Sequence, residues 1–171
     1  MFPRFRKRAW GLFGSLLCML VPVVAASEVR SPWVLTIIGD DRNPLARVSL
    51  PASGRWCLVW NHSVQGFPVT DCFRVGGGQL FLDSSQTPDF AAGLGYTAGR
   101  GVLKSDNQHG YRIVDMNVPI PNNILRLRVG SLSVNHRIRA DSHTISLSHL
   151  AANERVEICL TAAGDRGIEL K

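Results

Sequence analysis

The sequence predicts an all-β domain, an antiparallel sandwich or barrel, downstream of a cleaved leader. Three observations carry this. Short apolar or alternating runs recur between clusters of Gly, Pro, Asn, Asp and Ser, at the spacing of a sandwich or barrel. No window longer than a couple of turns keeps helical periodicity. One stretch, residues 55–75, accepts a single hairpin register that explains nearly every side chain in it.

The chain opens with Arg4, Arg6, Lys7 and Arg8, continues without a charge over residues 9–24, and reaches the small residues Ala25 and Ala26. A basic start, an apolar stretch and a small-residue exit make a secretory signal peptide over residues 1–26. A retained anchor fits less well, because the stretch is at the short end of the ~17–25 residues a span needs and Pro22 interrupts it. Leu17 before Cys18 is too large for a lipoprotein site. Cleavage after Ala26 leaves 145 of the 171 residues, one domain's length. Losing four cations and no acid takes the net charge from +6 to +2. The mature chain has no basic run, so nucleic acid is not an expected partner. The expected location is the periplasm, with no membrane span in the mature chain.

The expected strands are residues 33–38, 46–50, 55–62, 67–75, 79–83, 111–118, 124–129, 132–139, 144–150 and 155–161. Residues 84–110, which include Gly93, Gly95, Gly99 and Gly101, are expected to form a long irregular loop. In the hairpin, a four-residue loop over 63–66 pairs His62 with Phe67, Trp60 with Val69, Leu58 with Asp71 and Trp56 with Phe73. Cys57 then falls opposite Cys72, close enough for a disulfide, and an exported chain meets an oxidising compartment. Cys159 is left over; it lies opposite in phase to Val156, Ile158 and Leu160 and is expected to be an inert small residue.

Several chemical motifs weaken on inspection. The stretch GLGYTAGRG lacks the Gly-Lys-Ser/Thr ending of a phosphate loop and the strand–glycine–helix context of a dinucleotide fingerprint. His143 and His149 on one strand would stand about 20 Å apart. A turn at Ala140-Asp141 would leave His136 diagonal to His143, which is closer, but no third ligand supports that pair, so neither a metal nor a cofactor is expected. His62 and Ser63 are neighbours whose side chains diverge on a strand, which argues against a serine dyad, and the Asn61-His62-Ser63 sequon carries little weight alone. Asp71 matters more. Among tryptophans and Leu58, an ionised carboxylate is costly unless paired. Arg128 would reach it if the two strands share a face; otherwise Asp71 belongs at a solvated sheet margin. No residue is assigned a catalytic role.

The motifs WNHSV (60–64), Pro68-Val69, Asp71, Phe73-Arg74, Phe90-Ala91-Ala92-Gly93-Leu94, Gly110-Tyr111, Leu127-Arg128-Val129-Gly130 and His136 occur in order. This set resembles a family of small exported bacterial proteins classed only as a domain of unknown function, often encoded beside TRAP-type transporters of the TAXI branch. The family pattern has Glu where this chain has Gln65, and Glu where it has Asp71. The resemblance implies a periplasmic accessory of solute uptake, partnered by TRAP membrane subunits or their solute-binding protein. It also implies a polar site formed by His62, Ser63, Gln65, Asp71, Arg128 and His136, with Gly93 shaping the loop above. The alternative is a small hydrolase or isomerase using His62 with Asp71.

Overall fold

Two antiparallel sheets share one core, and the regular secondary structure is almost all β, 56 % strand against 6 % helix, in the computed structural model, which describes residues 31–89, 96–106 and 110–164. The four-stranded sheet runs β2 (Pro44–Ser49), β1 (Trp33–Ile38), β12 (Arg155–Ala162), β9 (Ile124–Arg128). The longer sheet runs β11 (His143–Ser146), β10 (Arg137–Ala140), β3 (Arg55–Asn61), β4 (Pro68–Gly76), β5 (Gln79–Thr87), β7 (Gly110–Val114), β6 (Val102–Asp106), with the two-residue β8 (Val118–Pro119) also on β5. The sheets do not close into a barrel. The core joins Leu35, Ile37 and Ile158 of one sheet to Trp56, Leu58, Phe73, Leu80 and Ile138 of the other, the interdigitation that buries the apolar face of each.

The β3–β4 pairing has the register the sequence requires. Trp56 lies opposite Phe73, Cys57 opposite Cys72, Leu58 opposite Asp71 and Trp60 opposite Val69. The His62 N–H donates to the Phe67 carbonyl, closing the loop, and Gly66 turns it at φ 76°. Trp56 and Phe73 stack on the core side at 4.4 Å between centroids. On the opposite side, Cys57 and Cys72 form a disulfide.

Five expectations about the elements are corrected. β5 does not stop at Asp83 but continues to Thr87, across a bulge where Ser84 pairs with Cys72 and Leu82 with Phe73. Asp83 is the extra residue, and its carboxylate accepts from Arg55 at 2.9 Å and Arg74 at 3.2 Å. The bulge shifts the phase of β5, so the polar Ser84-Ser85-Gln86-Thr87 run, which reads as loop, is strand. β6 also lies inside the expected loop; it is an edge strand with Val102 and Leu103 exposed, so no alternation marks it. The run expected at 132–139 begins only at Arg137, after a turn with Asn135 at φ 52°. The run expected at 144–150 changes to a helix, α1 (Leu147–Ala151), because the Ser146 hydroxyl caps it by accepting from the His149 N–H. β7 ends at Val114, short of the expected 118.

Candidate functional site

Asp71 sits in the middle of the long sheet on its core face. Across the strands its row reads Ile145, Ile138, Leu58, Asp71, Ser85, Ile113, Leu103. It is the one ionisable side chain in that row and is 7 % exposed. Ser85 gives it one hydrogen bond, while Oδ1 has no hydrogen-bond partner. Burial therefore pushes its carboxyl up to about 6, against the smaller opposing pull of Ser85. Trp56, one row away on the same face, carries the other buried side-chain polar atom without a partner among the described residues, Nε1.

The expected Asp71–Arg128 pair does not form, and Asp71 is not at a solvated margin either. Arg128 ends β9, which pairs with β12 in the other sheet. Leu125 and Leu127 pack against the core, which turns the alternating Arg126 and Arg128 outward. Asp71 looks inward from the opposite layer.

His62, Ser63 and Gln65 lie together at the tip of the β3–β4 hairpin. The His62 Nδ1 accepts from the N–H groups of Val64 and Gln65, and its ring stacks on Phe67. Ser63 and Gln65 are exposed. Along the strand, Asp71 is four residues beyond Phe67, the partner of His62, so His62 and Asp71 share a face but stand about 13 Å apart at ~3.3 Å per residue. That separation does not make a dyad.

His136 is held behind the tip. Its ring stacks on Trp60 at 5.7 Å, and its Nδ1 accepts from the Gly130 N–H at 2.9 Å, which places the imidazole proton on Nε2. Burial lowers its pKa, so the neutral ring is the stable form. Ser148, 1 % exposed, completes the node. Its hydroxyl donates to the Gly130 carbonyl and accepts from the His136 N–H, while the His136 carbonyl accepts from the Leu147 and Ser148 N–H groups. Sequence inspection misses Ser148; its only local signal is the cap two residues before it. The 131–135 loop then joins the hairpin: the Asn61 N–H donates to the Val134 carbonyl and its side chain to the Ser133 carbonyl.

The geometry thus brings His62, Ser63, Gln65 and His136 to one end of the long sheet, leaves Asp71 inside the same sheet, and puts Arg128 on the other. Gly93 lies outside the described residues, as does the leader expected over residues 1–26. Among the described residues no three His, Cys, Asp or Glu side chains gather as metal ligands, and no helix is long and apolar enough to cross a membrane. Cys159 is buried and free, its thiol pushed up first by burial and then by Glu157. A family model described as a domain of unknown function (DUF1850) matches residues 57–147. No curated protein and no solved structure matches the chain.

Proposed function

The chain belongs to the DUF1850 family, and from that premise we propose that it is an exported, periplasmic binding module that serves TRAP-type solute uptake by docking through its hairpin end. The observation that carries this is a stiff loop end with exposed apolar tips. Val64 is 85 % exposed and Leu132 61 % exposed, on two loops joined by the Asn61 hydrogen bonds. Behind them stand the Cys57–Cys72 disulfide, the Trp60–His136 stack and the Gly130–His136–Ser148 node. Pre-ordered loops lose little entropy on binding, which favours docking. His62, Ser63 and Gln65 supply a polar rim around the apolar tips. The leader-like residues 1–26 and the ordered family-like motifs support the compartment and the transporter association. A hydrolase or isomerase built on His62 with Asp71 is disfavoured by their separation.

The test is binding of the purified protein to the purified solute-binding protein, and to the membrane subunits in nanodiscs, of a TAXI-type TRAP system from the same cell. The Val64→Asp/Leu132→Asp variant is expected to weaken binding roughly tenfold or more with unchanged urea stability. No binding of the wild-type protein to either component, or equal binding by the variant, overturns the proposal.

A further inference from the structure

We propose that a cleft on the outer face of the four-stranded sheet binds a small organic anion, its carboxylate gripped by Arg42, Arg128 and Arg155. The cleft has a volume of about 550 Å³ and lies where the β1–β2 turn meets β9 and β12, within the size range of small-molecule sites. Arg155 and Glu157 alternate with Val156 and Ile158, which belong to the core, so the charged members of β12 face out. On the cleft wall, Arg126 is neutralised by Glu157 at 2.9 Å. One row on, Arg155 lies directly opposite Arg128. Like charges facing each other across an antiparallel pair repel, and among the described residues neither has an ion-pair partner. Arg42 adds a third unpaired cation from the turn, at φ 65°, a conformation that favours glycine or asparagine over arginine. Against these three stands one unpaired acid of the lining, Asp40.

An oxyanion relieves that imbalance, and the guanidinium fork fits a carboxylate through two parallel hydrogen bonds. Ile38, paired across the ladder with the outward-facing Glu157, also lines the cleft and gives the occupant's hydrocarbon body an apolar neighbour beside the charges. This site is on the other sheet from the hairpin end and does not depend on the docking role proposed above.

Calorimetric titration of the purified protein at low salt with acetate, succinate, citrate and inorganic phosphate tests it. At least one carboxylate is expected to bind more tightly than phosphate. Arg128→Gln and Arg155→Gln should each weaken it roughly 10- to 100-fold, while Arg139→Gln, an exposed cation on the long sheet, leaves it unchanged. Thermal melting separates a site from a folding defect. Without ligand, Arg155→Gln should melt above the wild type because the repulsion is gone; with ligand, the wild type should gain more than the variant. No binding by any of the four anions, phosphate binding as tightly as the best carboxylate, or unaltered binding by both arginine variants overturns the proposal.

Discussion

Replacing Asp71 by Asn should make the protein more stable relative to wild type as pH rises. A carboxyl raised from 3.8 to about 6 gives a difference near 2.2 pH units, about 3 kcal/mol of penalty on the charged folded form. The folded state holds its proton where the unfolded state has released it, so stability falls as pH rises through the window between 3.8 and about 6. Below the window both states are neutral and the cost is absent; above it the cost is complete. Between pH 4 and pH 7 this amounts to about 2 kcal/mol. Asn keeps an oxygen to accept from Ser85 but puts an amide where Oδ1 has no partner, and an unpaired buried amide costs about 1–3 kcal/mol at every pH. The offset is constant and the slope is not. Urea unfolding of both proteins across that range, read as the variant minus wild-type difference, cancels the contribution of His136. A difference that rises by about 2 kcal/mol toward pH 7 is the expected result. A flat difference, or one that falls, refutes the uncompensated buried carboxylate and restores a paired one.

Other perturbations follow from the same structure. Converting Cys57 and Cys72 to Ser should lower unfolding stability by about 3 kcal/mol, because the disulfide closes a loop with a sequence separation of 15; an unchanged urea midpoint would contradict it. Ser148→Ala removes the acceptor of the His136 N–H and the donor to Gly130, so urea unfolding should show a loss of about 1–3 kcal/mol. His136→Leu should remove a contribution to stability that grows with pH, because burial lowers the folded pKa below the ordinary histidine value of 6.5 and the neutral ring is lost as pH falls; a pH-independent cost of that substitution counts against it. Arg126→Gln should cost under about 1 kcal/mol by the same assay, because its pair with Glu157 lies at the surface.

Where period and turn chemistry agreed, the sequence alone determined the structure. β1 has its expected bounds, and the β3–β4 hairpin has its register, because a four-residue loop, two facing cysteines and an aromatic face all select one alignment. Local patterns failed where a side-chain contact across the sheet set the backbone. Asp83 leaves the ladder in a bulge with Arg55 and Arg74, and the serine-rich end of β5 continues beyond it. Ser146 chose a cap over another strand residue, which no two-residue alternation reveals. For the site, the hairpin-tip group of His62, Ser63 and Gln65 was legible because it is local. The partner of Asp71 was not. Choosing between Arg128 and no cation depends on which sheet β9 joins, and that is decided by β9 pairing with β12, a segment nearly thirty residues later in the chain. Sequence periodicity specifies which side chains share a face of one strand; only the tertiary pairing specifies which strand, and therefore which charge, that face meets.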